Sequence, residues 1–431
     1  SYILTETSFI LDKDTTFILG ADESLTDSPG VMARDWEERT RQYWAKWARS
    51  LAIPFEWQDE VIRAAITLKL CVFEETGGIV AALTTSIPEH EGSSRNWDYR
   101  FCWIRDAYFT VTALNRLSGM GTLEHYMRWV RNIVAHSKGG HIQPVYGIGL
   151  EADLSEDLAP NLPGFRDSGP VRRGNQAAEH VQHDVYGQVV LGVSQSFFDR
   201  RLLAQPGIAE FEQLEPVGER AFAVYDTPDA GIWEFRTIAH VHTSSAIMCW
   251  AACDRLSRIA ERLGLNNREA YWRERADIIH ETIMEKAWNE DVKAFTAAFG
   301  GTDLDASVLL MAEIGFLPAS DPRYVSTVEA VDRDLRMGDH VYRYKVEDDF
   351  GKPKTAFTAC TFWFIDALYR VGRVEEARNM FEAVLASRNH LGLLSEDVDP
   401  ETNELWGNFP QTYCMVGIIN SAALLSKPWA A

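Results

Sequence analysis

Two glutamates lie in sequence surroundings that suit acid and base catalysis. Glu234 lies in the segment GIWEFR, between Trp233 and Phe235. Apolar neighbours withdraw water from a carboxyl group and favour its protonated form, which a general acid must retain near neutral pH. Glu396 follows an apolar run and Ser395 in a long acidic loop, where an ionised carboxylate could activate water. Taken alone, each pattern also fits a structural carboxylate.

The segment RNWDYRFCWIRDA, residues 95–107, mixes aromatic rings with charged side chains. A hexose has one apolar face and hydroxyls that donate and accept hydrogen bonds, so aromatic rings combined with Asp and Arg side chains can hold it. The candidate sugar contacts are Trp97, Tyr99, Trp103, Arg105 and Asp106, with Trp233 and Arg236 from the segment around Glu234. The alternative is structural: Asp106 caps a helix and pairs with Arg105.

The composition narrows the class of ligand. The 431 residues carry 63 Asp and Glu against 42 Lys and Arg, which gives a net charge of -21. This charge repels a phosphate backbone and an anionic membrane surface, so neither nucleic acid nor a membrane is expected as a partner. A neutral ligand is indifferent to the field, and the 14 tryptophans suit the flat faces of sugar rings.

The cysteines and the apolar runs bear on location. Six cysteines, at positions 71, 102, 249, 253, 360 and 414, lie singly in apolar stretches without CxxC pairs, which predicts free thiols in a reducing compartment. The sequence has no run of about 18 uncharged apolar residues and no basic segment leading into a short apolar one. We therefore expect a cytoplasmic protein.

Three regions follow one another along the chain. Residues 1–30 are rich in β-branched and aromatic residues around a polar break, which predicts strands, a remnant of a β-rich module. Residues 31–52 carry aromatic residues at helical spacing and predict a linker helix. Residues 53–431 are dominated by helical patterns and form the expected catalytic domain.

The third region predicts an all-α fold. Twelve helices are expected, at 56–74, 104–118, 121–137, 182–201, 208–224, 242–263, 267–288, 303–315, 322–336, 357–371, 374–387 and 411–425. Consecutive helices without β-rich segments between them favour antiparallel hairpins that close into an (α/α)6 toroid, or barrel. The long connections between them hold the Gly, Trp, Asp and Glu residues, and we expect them to converge on one pocket.

Metal and serine chemistry find little support in the residues. Oxygen ligands at short spacing occur at Asp397, Asp399, Asn403 and Glu404, but the EF-hand glycine is missing, so calcium is kept only as an alternative. The histidine pairs at 180 and 183 and at 240 and 242 lack HExxH spacing and a third ligand. No GxSxG segment surrounds a serine. We predict no metal and no cofactor.

Three segments, in this order, resemble glycoside hydrolase family 15, the glucoamylase-like family. NWDYRFCWIRDA resembles its first sugar-binding block, GIWEFR its general-acid block, and LLSEDVDP followed by GNFPQ its general-base block. The resemblance covers nearly the whole chain after the first thirty residues. It implies an (α/α)6 catalytic domain that hydrolyses terminal α-glucosidic bonds from the non-reducing end, with inversion to β-D-glucose and without a metal.

The resemblance also implies roles for single residues. Glu234 matches the acid that protonates the leaving oxygen, and Glu396 matches the base that activates water on the opposite face of the ring. Inverting enzymes hold these carboxyls about 6.5 to 9.5 Å apart. Arg105 and Asp106 match a pair that grips hydroxyls of the terminal glucose. Further expected contacts are Arg343 and Tyr344 in VYRYKVEDDFG, and Trp406 and Asn408, where the base loop would close over the site.

Substrate choice is left open by one departure from the family pattern. Fungal glucoamylases have a second acidic residue directly after the catalytic acid, where this chain has Phe235. The expected function is an exo-acting α-glucosidase on a small oligosaccharide or α-glucoside. An α,α-trehalase of the same family is one alternative, and a non-catalytic sugar-binding toroid is another. The resemblance to bacterial members, which usually carry an N-terminal β-sandwich, places the chain in bacterial cytoplasm.

Overall fold

The structure is a computed structural model that describes residues 5–20, 24–137 and 140–430. Two compact units meet in sequence between Leu51 and Ala52. In the first unit, helix α1 (Pro29–Arg49) covers most of the predicted linker helix. Its proline lies in the first turn, where no backbone N–H is needed, and Lys46 and Arg49 lie in the last turn, where they oppose the helix dipole.

The strands expected in residues 1–30 are wrong for the part that is described. Residues 5–20 form neither helix nor strand, and residues 1–4 and 21–23 lie outside the described residues. Ile10 and Leu19 of this stretch are 88% and 102% exposed. A two-stranded hairpin is marginal in water unless another element covers its apolar face, so β propensity alone does not decide the conformation here.

The second unit contains the twelve predicted helices, with ends that differ by a few residues. They are α2 (Gln58–Leu70), α3 (Ile104–Arg116), α4 (Met120–His136), α5 (Asp184–Ser194), α6 (Ile208–Val224), α7 (Thr243–Leu263), α8 (Asn266–Lys286), α9 (Met311–Ile314), α10 (Pro322–Asp334), α11 (Thr358–Arg370), α12 (Val374–Ala386) and α13 (Thr412–Leu425). Two differences are larger: α5 ends at Ser194 where the prediction ended at 201, and α9 is short because a 3-10 turn, Ala306–Leu310, forms much of the eighth predicted helix, 303–315.

Six of these helical segments form a closed inner ring. Helix α3 contacts α5, α5 contacts α7, α7 contacts the 3-10 turn before α9, that turn contacts α11, α11 contacts α13, and α13 contacts α3. Helices α2, α4, α6, α8, α10 and α12 pack outside the ring. Every residue of α5 is buried, whereas α8 buries one apolar stripe, as expected for inner and outer helices. The all-α (α/α)6 toroid is confirmed.

Short strands fix the connections between helices. Within the described residues they are β1 (Val72–Phe73), β2 (Gly78–Ile79), β3 (Cys102–Trp103), β4 (Val145–Tyr146), β5 (Asp157–Leu158), β6 (Arg172–Arg173), β7 (Trp288–Asn289), β8 (Ala294–Phe295), β9 (Arg336–Met337), β10 (His340–Val341), β11 (Ala356–Phe357), β12 (Asp397–Val398) and β13 (Leu405–Trp406). All pair antiparallel, as five two-stranded ribbons and the sheet β11–β12–β13. Strands β3 and β11 lead directly into the inner helices α3 and α11.

The long connections precede inner helices, so they gather at the N-terminal ends of the ring. Helix N-termini carry partial positive charge, which favours nearby carboxylates. Asp106 and Asp184 lie in the first turns of α3 and α5. The six cysteines are buried and form no disulfide. No helix among the described residues is both long and apolar enough to cross a membrane.

Candidate active site

A concave pocket opens at the N-terminal ends of the inner helices. Its space is about 870 Å³ when the open mouth is included. The predicted residues that line it are Glu234, Glu396, Trp97, Tyr99, Trp103, Arg105, Asp106, Trp233, Arg236, Arg343 and Tyr344. The convergence expected from the long connections is therefore observed.

A strained turn presents Glu234 to the pocket. Its backbone φ is +63°, in the left-handed region that non-glycine residues rarely adopt and that costs about 1–3 kcal/mol. An isolated bridge between Asp229 and His240 closes the loop that contains it. Gly231, with φ of +66°, leaves room for the ring of His242, because a Cβ there would lie 2.7 Å from that ring. The surrounding fold thus imposes the conformation of Glu234.

Side chains of the segment 95–107 hold the carboxyl of Glu234. Trp103 donates its indole N–H to Oε1 of Glu234 at 2.6 Å. Arg105 approaches the same oxygen at 3.3 Å and donates to the carbonyl of Ile232 at 2.7 Å. The Glu234 side chain remains 19% exposed, so the carboxyl is oriented by protein donors and still reaches the pocket.

Glu396 is more deeply buried, with 2% exposure. Tyr99 donates its hydroxyl to Oε1 of Glu396 at 2.5 Å. Within the described part of the chain, Oε2 has no hydrogen-bond partner. Burial, with the negative charge of Glu89 as the next cause, raises the pKa of Glu396 to about 8, against the opposing effects of Tyr99 and Arg343. The group is therefore poised between its two protonation states at mildly alkaline pH.

One segment, residues 95–107, donates hydrogen bonds to both glutamates. Tyr99 and Trp103 are four residues apart, and their ring centroids lie 5.4 Å apart at an interplanar angle of 70°. Each ring donates a hydrogen bond to a different glutamate. The relative position of the two carboxyls therefore depends on a single pair of packed rings.

The floor of the pocket contains the predicted Arg-Asp pair. Arg105 donates Nε–H to Oδ2 of Asp106 at 3.1 Å, and its guanidinium lies 5.7 Å from the ring centroid of Tyr413. Burial raises the pKa of Asp106 to about 6, although the charge of Arg105 opposes this shift. The N-cap residue of α3 is Trp103, and Asp106 lies in the first turn of the helix. The ion pair is therefore observed; it fits a structural role as well as sugar binding.

An ion network that the sequence did not reveal forms one wall. The buried carboxylate of Glu89 accepts hydrogen bonds from Arg95 at 2.7 Å and from Arg343. Burial alone would raise the pKa of Glu89, but the charges of Arg343 and Arg95 outweigh it and hold that pKa below its usual value. Arg95 also binds Asp348 through two hydrogen bonds, and Tyr344 donates its hydroxyl to Asp348. No local pattern around Glu89 could have indicated this role.

The predicted substrate contacts at Trp406 and Asn408 need correction, since neither residue is part of the pocket wall. Asn408 is fully buried; its amide accepts from Thr84 at 2.9 Å and donates to the carbonyl of Trp97 at 2.8 Å. Trp406 lies in β13, 3% exposed, with the guanidinium of Arg166 5.1 Å from its ring centroid. The amide of Asn408 and the ring of Trp406 thus contact other parts of the protein, and these contacts support the loop of Glu396.

The acidic loop uses its oxygens within the protein. Asp399 accepts backbone N–H groups of Glu401 and Thr402, and Asn403 contacts the ring of His340 at 2.8 Å. Across residues 5–20, 24–137 and 140–430, no group of three or more His, Cys, Asp or Glu is arranged to hold a metal ion. Asp399 and Asn403, two of the four residues considered for calcium, thus use side-chain oxygens in turn and loop contacts.

Comparison with known proteins places the chain in a family. Residues 57–423 match the family model described as glycosyl hydrolases family 15. A trehalase of Thermoplasma volcanium is 32% identical over 90% of this chain and 62% of its own length. A trehalase of Mycobacterium tuberculosis is 35% identical over 90% of this chain and 58% of its own length. The chain therefore spans about three fifths of the length of these curated relatives.

Solved structures share the fold at low sequence identity. A bacterial glucoamylase complexed with acarbose superposes with a TM-score of 0.70 and 15% identity, covering 91% of this chain and 59% of that one. A wild-type glycosidase superposes with a TM-score of 0.66 and 16% identity, covering 86% of this chain and 97% of that one. Together with the family match over residues 57–423, these findings show that the chain belongs to glycosyl hydrolase family 15.

Proposed function

We propose that the protein hydrolyses α,α-trehalose with inversion at one anomeric carbon. The observation that carries this proposal is the pair of glutamates in one pocket, each with its own hydrogen-bond donor from the Tyr99–Trp103 ring pair. Two carboxyls that line one pocket and are oriented by separate donors suit a single displacement in which one acts as acid and the other as base.

In the proposed reaction Glu234 donates its proton to the oxygen that joins the two sugars, and the bond from that oxygen to the anomeric carbon breaks. A water molecule attacks this carbon from the opposite face and gives its proton to Glu396. One β-glucose and one α-glucose leave. Solvent then returns a proton to Glu234 and removes one from Glu396, so the enzyme is reset without a metal or an oxidant.

Trehalose is favoured over the small malto- or isomalto-oligosaccharides that the sequence first indicated. The relatives at 32% and 35% identity are named trehalases, whereas the glucoamylase likeness is one of fold at 15% identity. Phe235, which follows the proposed acid, lines the pocket with an uncharged ring. An exo-acting α-glucosidase on malto- or isomalto-oligosaccharides is the second candidate, because Arg105 and Asp106 on the floor suit any terminal glucose.

Time-resolved proton NMR of the anomeric region tests substrate and stereochemistry together. The protein is incubated with trehalose, maltose, isomaltose and maltotetraose in separate tubes. We expect trehalose to be consumed fastest and to give α- and β-glucose in equal initial amounts, since the leaving glucose keeps its α configuration. Release of α-glucose alone would indicate retention and overturn the roles of both glutamates. Preferential consumption of maltotetraose would favour the second candidate.

Conservative substitutions test the two roles. Glu234→Gln and Glu396→Gln each remove several kcal/mol of transition-state stabilisation, so the rate should fall by about 10³-fold or more while the thermal midpoint changes little. Glu290→Gln is the matched control, because Glu290 also accepts an indole N–H, from Trp288 at 2.8 Å, but outside the pocket. Ordinary turnover by either pocket variant would refute the assignment.

A further inference from the structure

The pocket has a buried floor and a partly exposed mouth. Asp106, Arg343, Trp363 and Tyr413 on the floor and inner walls are at most 8% exposed. Trp97, Phe235, Arg236, Asp349 and Phe350 also line the pocket and are partly exposed, as are Tyr99, Arg105, Trp233 and Glu234. Arg236 precedes the exposed Thr237, and residues 349–350 closely follow the exposed residues 345–347, so this part of the lining faces the mouth. When a substrate enters by its non-reducing end, the sugar farthest from the scissile bond lies at the mouth.

Arg236 covers aromatic surface at this mouth. The rings of Trp97 and Phe350 have centroids 5.0 Å apart, and the Arg236 guanidinium lies 4.9 Å from the first centroid and 5.3 Å from the second. Its Nη2 donates to Oε2 of Glu156 at 3.0 Å. We call Trp97, Glu156, Arg236 and Phe350 the rim clamp. Within the clamp, stacking on two rings and an ion pair with Glu156 hold the same guanidinium in place.

Further contacts anchor the rim clamp to several connections. Arg172 lies 5.2 Å from the centroid of Trp97 and donates to Glu156 at 2.5 Å. Asp349 accepts the backbone N–H of Arg236 at 2.6 Å and that of Thr237 at 3.0 Å. Segments from four parts of the sequence are thereby joined across the mouth, so the clamp is a built feature of the pocket.

The rim clamp covers the kind of aromatic surface on which sugar rings bind. Enzymes hold successive sugars of a chain on aromatic faces, because a pyranose ring has an apolar face of matching size. Here a guanidinium already covers those faces, and Glu156 balances its charge. We propose that the rim clamp restricts the substrate to a disaccharide by occupying the surface that a third sugar would need. This inference rests on the proposed hydrolysis of trehalose.

A trisaccharide tests the clamp directly. Its first two sugars form trehalose, and the second carries one further α-1,4-linked glucose, so that cleavage of the α,α bond releases maltose. Release of maltose is compared with hydrolysis of trehalose for the wild-type protein and for Arg236→Ala and Glu156→Gln. Arg173→Ala is the matched control, because Arg173 lies beside Arg172 in β6 but pairs with the exposed Asp157.

We expect the wild-type protein to cleave trehalose with the higher kcat/KM. Arg236→Ala should raise the ratio of trisaccharide to trehalose kcat/KM by about tenfold or more, mainly through KM of the trisaccharide. Glu156→Gln should raise it by a smaller factor, and it also tests the clamp if Arg236→Ala proves too unstable to assay. The control should leave the ratio unchanged.

Three results would overturn the inference while leaving the proposed hydrolysis of trehalose intact. A wild-type protein that turns over both sugars equally well needs no clamp. If Arg236→Ala lowers both kcat/KM values by one factor, Arg236 binds the second glucose instead of excluding a third. An unchanged ratio in both variants shows that the clamp has no effect on chain length. If the wild-type protein does not cleave trehalose at all, the proposed function itself fails, and the inference fails with it.

Discussion

Replacing Tyr99 by phenylalanine removes a single hydroxyl, the one that contacts the proposed base Glu396. That hydroxyl donates to Oε1 of Glu396 at 2.5 Å, and no described residue supplies a hydrogen bond to Oε2. The phenyl ring of the variant keeps the packing against Trp103. The substitution therefore isolates the contribution of one hydrogen bond to the protonation state of the proposed base.

The size and direction of the effect follow from the geometry. The pKa of Glu396 is about 8: burial and the charge of Glu89 raise it, and the hydrogen bond from Tyr99 lowers it because that bond stabilises the ionised form. A hydrogen bond to a charged group contributes about 1.5–3 kcal/mol, which corresponds to about 1–2 pH units. A base is active when ionised, so its activity is lost as pH falls through its pKa. Tyr99→Phe should therefore move the acid limb of the profile upward by about 1–2 pH units.

The assay is the pH dependence of kcat/KM for trehalose, which reports groups of the free enzyme. Initial rates of glucose release are measured from pH 5 to pH 10 for the wild-type protein and the variant. At a pH below both acid limbs, the variant should be slower by about 10- to 100-fold. Tyr225→Phe serves as the control, since its hydroxyl lies 3.5 Å from Thr282 in the outer layer, and its profile should match the wild type.

The reasoning is refuted by two outcomes. An acid limb that moves to lower pH would mean that Tyr99 stabilises the protonated form of its partner. An unchanged limb with a uniformly lower rate would mean that Glu396 does not determine this limb, and Tyr99 would then act on the substrate alone.

Two further substitutions test the packing behind the site. In Gly407→Ala the new methyl would lie 2.9 Å from Cβ of Glu396 at a φ of +76°, so kcat should fall by about 10- to 100-fold; Gly372→Ala, at φ of +90° in open space, should carry similar backbone strain without that loss, and equal losses of kcat would contradict the contact. Burial raises the pKa of Asp366 from 3.8 to about 7, so its stabilising effect is complete below pH 3.8 and is lost as pH rises to 7. The Tm of Asp366→Asn should therefore fall less than the wild-type Tm between pH 4 and pH 8. Asp321→Asn is the control: a hydrogen bond from Arg323 lowers the pKa of Asp321 below 3.8, so its stabilising effect is already complete above pH 3.8 and its Tm curve should run parallel to the wild type between pH 4 and pH 8; an Asp366→Asn curve that is also parallel to the wild type would refute the linkage.

Much of the toroid could be read from the sequence because helical periodicity is a local property. Apolar residues at helical spacing located the twelve helices, most of them within a few residues, and a largely apolar stretch such as Asp184–Ser194 became a fully buried inner helix. The 3-10 turn before α9 was missed, since both helix types share a similar short-range pattern. The predicted strands in residues 1–30 were wrong for residues 5–20, which form neither helix nor strand although their β propensity is high.

The sequence by itself identified candidate residues for the site, because they lie in compact segments. Arg105 and Asp106 are adjacent, and Tyr99 and Trp103 are four positions apart in the segment that leads into α3. Glu234 and Glu396 became candidates through the residues around them and through the resemblance of their segments to one family. Their hydrogen-bond partners were not, because both donors come from a segment more than a hundred positions away.

Only the tertiary structure decided which polar groups meet across the ring. Glu89 binds Arg343 over a separation of 254 positions, and Arg236 reaches Glu156 from a different connection. The side-chain amide of Asn408 forms its hydrogen bonds with Thr84 and with the carbonyl of Trp97. Such contacts depend on how six inner helical segments close into a ring and on which connections that closure brings together, and no local pattern of residues encodes that geometry.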